Sequence, residues 1–218
     1  LAHHRNLPLV AIKAGGSDRG ATLALSHTAS LAGKDRVAGA LLERLGIPRV
    51  ASLESLIETL KILHVHGPLS GTDISSMSCS GGEAMLMADA ADARRVSFQK
   101  LSPAQHRRVA DTLTALVTVS NPLDYHTFNW NDEQKLYSTY CAMLGCGFDL
   151  SILVLDFPRR DRCDWDTWRP AVDAIIRAAR DTGRPAAVLS SLPEHLPESL
   201  AETFLEKGLG PLCGMEHA

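Results

Sequence analysis

The chain has 218 residues, of which 45% are hydrophobic and 22% are charged, and its formal net charge is −3. This near-balance of charge excludes a strongly basic surface for nucleic acid or for anionic membranes. No apolar run approaches the roughly 20 residues of a membrane span. Five scattered cysteines without a Cys-x-x-Cys pair indicate reduced thiols rather than a disulfide or zinc framework. We therefore expect a cytoplasmic globular protein that binds neither nucleic acid nor membrane.

Short apolar runs alternate with amphipathic stretches from the start of the chain, which is typical of β-α units around a parallel sheet. "LPLVAIKAG" predicts a buried strand, and the glycine-rich "AGGSDRGATLALSHTASLAG" after it predicts a loop. A helix from about Lys34 to Leu45, a short strand "IPRVAS" and a helix "LESLIETLKILH" behind a Ser52 cap follow. "HGPLSG", His66 to Gly71, has the composition of a linker. We expect domains at 1–67 and 72–218, in a chain cut from a longer polypeptide.

The second segment repeats the pattern over a longer series. The predicted strands are "DISSMSC", "RVSF", "DLSILVLDF", "PAAVLSS" and "GPLCG". The predicted helices are "GGEAMLMADAADAR", "LSPAQHRRVADTLTAL", "DEQKLYSTYCAML", about Trp168 to Arg180, and "PESLAETFLEKG". The second of these has Ser102 as its cap, Pro103 at the first position and Gln105 in a capping box, whereas "VSNPLDYHTFNW" predicts a loop. The fold class is α/β, with a doubly wound parallel sheet preceded by part of a second, similar domain.

Ligands of such sheets bind at the carboxyl ends of the strands, where loops enter the N-termini of helices. This rule points to four loops: after Ala14, after Cys79, around 121–125, and after Leu155.

His27 lies in the first of these loops, between Ser26 and Thr28. An exposed imidazole is neutral in a large fraction of molecules at pH 7, so its free nitrogen can act as a nucleophile. The hydroxyls of Ser26 and Thr28 could donate hydrogen bonds to a phosphoryl group on that nitrogen. The pattern alone leaves a second interpretation open, a surface histidine in a flexible loop.

The second loop, "SCSGGEA", places Ser80, Gly81, Gly82 and Glu83 at the start of a helix. Unpaired N–H groups and the positive end of the helix dipole make such a turn a seat for an anion or a phosphate. A plain strand-to-helix turn is the alternative. A nucleophile elbow is not matched, because a serine occupies the first glycine position of G-x-S-x-G.

Of the other two loops, one predicts a structural turn and the other a site that recognises phosphate or carboxylate. Asn121 and Asp124 of "SNPLDYH" belong to a turn that Asp124 could hold through backbone amides. Arg159, Arg160 and Arg162 follow the central strand and suit phosphate or carboxylate recognition, or form a solvated charged loop. "HVH" predicts the end of a helix rather than a metal site, and we expect no bound metal.

Taken in order, these motifs resemble the acyl-CoA synthetases of the nucleoside-diphosphate-forming kind, relatives of succinyl-CoA synthetase. The phosphohistidine loop of that family reads like "VVALKAG…SHTGSLAG", and this chain has "LVAIKAG" and "SHTASLAG", with Ala29 where glycine is usual. "SMSCSGGEAMLMADA", "NPLD" and "ILVLDFPRRDRCD" also resemble family segments. The resemblance covers nearly the whole chain and implies a flavodoxin-like succinyl-CoA synthetase domain, preceded by the C-terminal part of a similar domain.

The resemblance implies that His27 carries a phosphoryl group. Acyl-CoA, phosphate and ADP would interconvert with acid, CoA and ATP through acyl phosphate and phosphohistidine, and the turn at 80–83 would correspond to a helix start that receives phosphate. The intact enzyme would use CoA, ATP or ADP, and magnesium, none of them bound tightly by this segment. Implied partners are a CoA-binding domain, an ATP-grasp domain or subunit, a small carboxylic acid or acyl-CoA, and a possible homodimer. The segment alone is expected to be inactive.

Two other classes of protein are alternatives to the ligase. A regulatory or binding module, for example one fused to a protein acetyltransferase, is the alternative that Ala29 leaves open. A flavodoxin-like electron carrier is disfavoured because only 5% of the residues are aromatic. The bulky "DYHTFNW" favours, as a hypothesis, a larger or aromatic acyl group.

Overall fold

A computed structural model of the chain describes residues 5, 7–28, 33–92, 94 and 96–218. Its contacts divide the chain into two units, Leu1–Leu63 and His64–Ala218. Within those described ranges no helix is long and apolar enough to cross a membrane. All five cysteines are free, as the sequence predicted.

The described residues of the first unit form two short parallel strands and three helices. Ala11 pairs with Arg49 and Ile12 with Val50. The elements in chain order are β1 Ala11–Ile12, α1 Asp18–Thr28, α2 Asp35–Arg44, β2 Arg49–Val50 and α3 Leu53–His66, the last of which ends just inside the second unit.

The first strand is shorter and more exposed than the sequence predicted. Leu7 is 56% exposed and Leu9 is 47% exposed, and the strand itself is limited to two residues. The expectation of a buried strand was therefore wrong. In the described part of the chain β1 pairs with β2 alone, so its neighbouring side chains stay in contact with solvent.

The predicted glycine-rich loop is mostly a helix, α1. Ser17 caps it by accepting a hydrogen bond from the amide of Gly20 at 3.1 Å. The negative charge of Asp18 in the first turn interacts favourably with the positive, N-terminal end of the helix dipole. Alanines and leucines with high helix propensity follow. Gly15, at φ +73°, and Gly20 approach so closely that a Cβ on Gly20 would lie 2.8 Å from the Gly15 Cα. The glycines that indicated a loop therefore make the tight entry to a helix, while 29–32 of that stretch lie outside the described residues.

The rest of the first unit follows the prediction. Helix α2 occupies the expected range, and Asp35 at its start accepts two hydrogen bonds from Arg49, at 2.6 and 3.0 Å. Ser52 caps α3 as predicted, because its hydroxyl accepts from the amide of Ser55 at 3.1 Å.

The second unit is built around a five-stranded parallel sheet with the order β4-β3-β5-β6-β7. Counted within the unit, this is the 2-1-3-4-5 order of flavodoxin-like folds. The strands are β3 Ile74–Ser78, β4 Leu123–Asp124, β5 Leu150–Val154, β6 Ala186–Ser190 and β7 Gly210–Cys213. The helices are α4 Gly81–Asp92, α5 Pro103–Ala110, α6 Glu133–Leu144, α7 Arg169–Thr182 and α8 Glu198–Glu206, with a 3-10 turn at Pro193–His195 before α8.

The core of the second unit lies between its central strands and the helices. Every residue of β3, β5 and β6 is buried, as expected of parallel strands covered on both faces. The buried hydroxyls of Ser75 and Ser151 satisfy each other across β3 and β5, at 2.9 Å. Helices α6 and α7 pack against each other, and small alanines along α7 allow a close approach.

Two predicted elements of the second unit were wrong. Arg95 of "RVSF" lies outside the described residues, and the described residues 96–98 form no strand. Ser97 makes an isolated bridge with Asp73, and its hydroxyl donates to the Asp73 carboxylate at 2.6 Å. The missing strand is β4, which lies inside the predicted loop "VSNPLDYHTFNW". Helix α5 also ends earlier than predicted, at Ala110, and the amides of Thr112 and Leu113 after it donate to the carbonyls three residues before them.

The capping box at the start of α5 gives a testable prediction. The Ser102 hydroxyl accepts from the Gln105 amide, and the Gln105 side chain accepts from the Ser102 amide at 2.7 Å. We expect Ser102→Ala to lower the free energy of unfolding by about 1 kcal/mol, measured by urea denaturation. Ser138→Ala, in the middle of α6, is the matched control and should leave stability within about 0.5 kcal/mol. Equal losses in both variants would contradict the capping role.

Candidate functional site

The predicted nucleophile lies near the end of a helix. Residues 26–28 form the last turn of α1, so the expectation that His27 sits on a loop was wrong for its backbone. The hydroxyl of Ser26 donates to the carbonyl of Leu23 at 2.9 Å, so this hydrogen bond lies within α1. The phosphoryl-carrying role of His27, with Ser26 and Thr28 as donors, stays a prediction.

The predicted loops of the second unit do come together, at the carboxyl ends of its strands. Strand β3 has β4 on one side and β5 on the other, while successive connections run in opposite directions from it. This is the topological switch point, where ligands of open α/β sheets bind. The side chains that converge there lie at or after the ends of β3, β4, β5 and β6. We call this region the crevice, and its residues are Cys79, Glu83, Asp124, Thr127, Trp130, Asp156, Trp168 and His195.

The turn at Ser80–Glu83 opens helix α4 as predicted. Ser80 stands at the cap position, with its hydroxyl 3.5 Å from the amide of Glu83. Gly81 lies against the next strand, because a Cβ there would approach Oδ2 of Asp124 to 3.1 Å. A side chain at position 81 would therefore press on β4, and the close approach brings Glu83 and Asp124 into one electrostatic environment.

Glu83 is the most perturbed acid of the crevice. Partial burial, together with the nearby carboxylates of Asp156 and Asp124, raises its pKa to about 7. Its Oε2 is shielded from solvent and has no hydrogen-bond partner among the described residues. Burial and like charge overcome the helix dipole, which would stabilise the carboxylate in this first turn. Near neutral pH this carboxyl can therefore hold or release a proton.

Asn121 and Asp124 make the hydrogen bonds that hold the segment around β4 at the edge of the crevice. The Asn121 amide donates to the carbonyls of Ile74 and Gln99, at 2.9 and 3.1 Å, which ties β4 to β3. Asp124 Oδ1 accepts from the amide of His126 at 2.9 Å, which holds His126 at a φ of +57°.

Asp156 is fixed from the neighbouring strand. Its two carboxylate oxygens accept hydrogen bonds from the amide and the hydroxyl of Ser191. Nδ1 of His195 lies 3.4 Å from Oδ2 of Asp156 without a hydrogen bond. Both carboxylate oxygens of Asp156 therefore already accept hydrogen bonds from the residue that follows β6, and Asp156 needs no ligand as a donor.

Two tryptophans form the apolar side of the crevice. The rings of Trp130 and Trp168 meet edge to face, with centroids 5.7 Å apart. Trp168 Nε1 donates to the carbonyl of Asp156 at 2.9 Å, so its orientation is fixed. With Cys79, Thr127 and the last residues of β5 they enclose a cavity of about 240 Å³. Burial and the Glu83 charge raise the pKa of the Cys79 thiol to about 11, which argues against a thiolate nucleophile at neutral pH.

The crevice does not have the anion-binding chemistry that the sequence predicted for the turn at Ser80–Glu83. A phosphate at Ser80–Glu83 would meet Glu83, Asp124 and Asp156, and like charge disfavours it. Within the described residues, no group of three or more histidines, cysteines and acids is placed to hold a metal ion. The three arginines after β5 form a charged surface loop in which Arg159 pairs with Asp161 at 2.7 Å.

Sequence reasoning missed Asp156, Trp168 and His195. Asp156 lies two residues after the end of β5, inside the longer strand predicted as "DLSILVLDF", and the sequence pointed to the arginines that follow it. His195 follows β6, a strand end that was not among the four loops singled out. Equal attention to every strand end would have found both, whereas the contact between Trp130 and Trp168 depends on tertiary packing.

The second unit is thus an α/β domain of flavodoxin-like topology with its crevice at the expected edge. Residues 2–63 match the model of the family described as "Succinyl-CoA ligase like flavodoxin domain". The chain is 28% identical over 200 residues, or 92% of its length, to subunit alpha of the acetate–CoA ligase [ADP-forming] II of Pyrococcus furiosus, and this spans 43% of that subunit. It is 28% identical over 117 residues to an acetate–CoA ligase [ADP-forming] of Methanocaldococcus jannaschii, covering 54% of this chain and 17% of the relative.

A solved structure shares the fold of nearly the whole chain. It is the dinucleotide forming acetyl-coenzyme A synthetase 1 of Ca. Korarchaeum cryptofilum in complex with phosphate and ADP. The TM-score is 0.78 at 20% identity, over 96% of this chain and 44% of that one. The chain thus spans less than half the length of the relatives described here. It is similar to a segment of the ADP-forming acetate–CoA ligases, as its motifs indicated.

Proposed function

We propose that this chain is the phosphohistidine-bearing part of an acid–CoA ligase of the ADP-forming kind. The observation that carries the proposal is the position of His27 in "SHTASLAG", inside the segment that matches the succinyl-CoA ligase-like family. The named relatives are ADP-forming acetate–CoA ligases, which favours the ligase over a regulatory module.

The proposed cycle has three transfers, and His27 takes part in two. Phosphate displaces CoA from acyl-CoA to give an acyl phosphate. His27 takes the phosphoryl group and releases the carboxylic acid, then passes the group to ADP to form ATP. A neutral imidazole nitrogen suits this covalent role, because it can attack phosphorus and leave again.

The remaining parts of the cycle need groups that we assign to other domains or subunits. We propose that CoA binds to a CoA-binding domain, and that ATP or ADP with magnesium binds to an ATP-grasp domain or subunit. The chain matches only part of each relative, and this supports such a division of labour. The cycle would take place in the cytoplasm on a small carboxylic acid.

The test is phosphorylation of the intact protein by γ-labelled ATP with magnesium, quenched in base and mapped by mass spectrometry. We expect a base-stable, acid-labile phosphate on His27 that a carboxylic acid and CoA discharge. His27→Asn should abolish the label and the ligase activity, whereas His64→Asn, at an exposed histidine of α3, should retain both. A label that persists in His27→Asn, or no label in the wild-type protein with nucleotide still bound, would refute the proposal.

A further inference from the structure

We propose that the crevice of the second unit binds a small organic cation, with its ammonium group at Glu83 and its apolar body against Trp130 and Trp168. The proposal does not depend on the phosphoryl transfer proposed above. Three features of the crevice support the proposal: the cavity, its aromatic walls and a carboxyl with an unpaired oxygen.

The cavity is the right kind of space for a small ligand. It measures about 240 Å³ and lies at the switch point of the sheet, where α/β folds bind ligands. Pockets for drug-sized molecules run from about 300 to 1,000 Å³, so the occupant is smaller than these. Val154 and Leu155 at the end of β5 supply apolar wall, which favours a ligand with a hydrocarbon body over a hydrated ion.

The two indoles give that wall an attraction for positive charge. Trp168 uses its N–H on the Asp156 carbonyl, which leaves the π-system of the ring for the cavity that it lines. The perpendicular contact with Trp130 holds both rings in place. A cation within about 6 Å of a tryptophan ring is attracted by its quadrupole. Neutral and anionic ligands gain nothing from this attraction.

Glu83 provides the specific partner. Glu83 lines the cavity, and its shielded Oε2 accepts no hydrogen bond from the part of the chain that the structure describes. Both oxygens of Asp156, in contrast, already accept from Ser191. The residues that line the cavity in the described part of the chain include no lysine or arginine. An ammonium group in the cavity would place a donor and a positive charge beside the Glu83 carboxyl, which a neutral ligand could do only in part. The raised pKa of Glu83 agrees with a carboxylate that lacks its counter-ion.

The test uses three isosteric probes on the full chain, with isothermal titration calorimetry at pH 8. We expect benzylammonium to bind at one site, at least tenfold tighter than benzyl alcohol, and benzoate not to bind. Glu83→Gln should weaken benzylammonium at least tenfold and leave benzyl alcohol unchanged. Glu198→Gln is the matched control, since Glu198 also lies in the first turn of a helix, α8, and is exposed. It should bind all three probes as the wild type does.

The pH dependence separates a true partner from a nearby charge. Benzylammonium stays protonated between pH 6 and pH 8, so its affinity should fall about tenfold at the lower pH as Glu83 takes up a proton. Asp124, Asp156, Cys79 and His195 also surround the crevice. The part of the slope that disappears in Glu83→Gln therefore belongs to Glu83.

Several results would overturn the proposal. These are equal affinity for benzyl alcohol and benzylammonium, tighter binding of benzoate, a Glu83→Gln variant that binds the cation like the wild type, or no saturable binding at all. Should Glu83→Gln fail to fold, the tenfold pH effect on the wild type and the comparison of the three probes still decide the matter.

Discussion

Phe204→Ala is expected to lower the free energy of unfolding of the second unit by about 3–5 kcal/mol, the usual cost of removing a buried aromatic ring. Phe204 is fully buried and is the residue through which α8 enters the core. Leu200, one turn earlier, is only partly buried against the same core. The loss would combine the lost burial of the ring with the cavity that remains. Urea denaturation followed by circular dichroism measures it.

Phe128→Ala is the control for this prediction. Phe128 is 52% exposed and its ring stacks on His126 rather than in the core, so we expect a change below about 1 kcal/mol. Similar losses in the two variants would mean that α8 does not depend on its one buried side chain. A lower denaturation slope in Phe204→Ala would instead indicate that α8 has detached from the native fold.

The elements predicted well from the sequence are those whose local signals agree with their tertiary setting. Strands β3, β5 and β6 are runs of small and apolar residues bounded by turns, and buried parallel strands are expected to have this composition. The capping box of α5 marks a helix start through two side chains close in sequence. In these cases short-range chemistry was sufficient.

The elements predicted wrongly are those in which local signals are weak or ambiguous. Strand β4 has only two residues and owes its existence to pairing with β3, so no apolar run announces it. "RVSF" has a β-like composition but gains only one bridge, at Ser97. In α1 the glycines suggested a loop, although the residues from Asp18 onward are helix formers and the glycines serve a close backbone contact.

The sequence predicted where the crevice lies but not which residues set its charge. The rule about carboxyl ends gave the correct edge of the sheet, and Glu83, Asp124 and Asn121 lie there. The charge balance of the site depends on Asp156, which comes from a strand far along the chain and lies close to Glu83 only after folding. This is why the sequence indicated an anion-binding site, whereas the folded chain has an acidic crevice.

The second large effect concerns pH and Glu83. Its pKa is about 7 in the folded chain, against an ordinary value of 4.5. Between these two values the folded state holds a proton that the unfolded state has released, so stability falls as the pH rises from about 4.5 to about 7. Because the carboxyl is only partly buried, solvent screening reduces the effect, and we expect a loss on the order of 1–2 kcal/mol.

Glu83→Gln should remove this loss, because the amide cannot ionise. We expect the variant to be about 1–2 kcal/mol more stable than the wild type at pH 8 and close to it at pH 4.5. Glu198→Gln reports the ordinary effect of losing a carboxylate from the first turn of a helix, which is a small destabilisation at pH 8. Urea denaturation of the three proteins at half-unit steps between pH 4.5 and pH 8 measures the difference. A Glu83→Gln profile parallel to that of the wild type would show that Glu83 does not retain its proton in the folded chain, and that Asp156 and Asp124 do not act on it as the geometry implies.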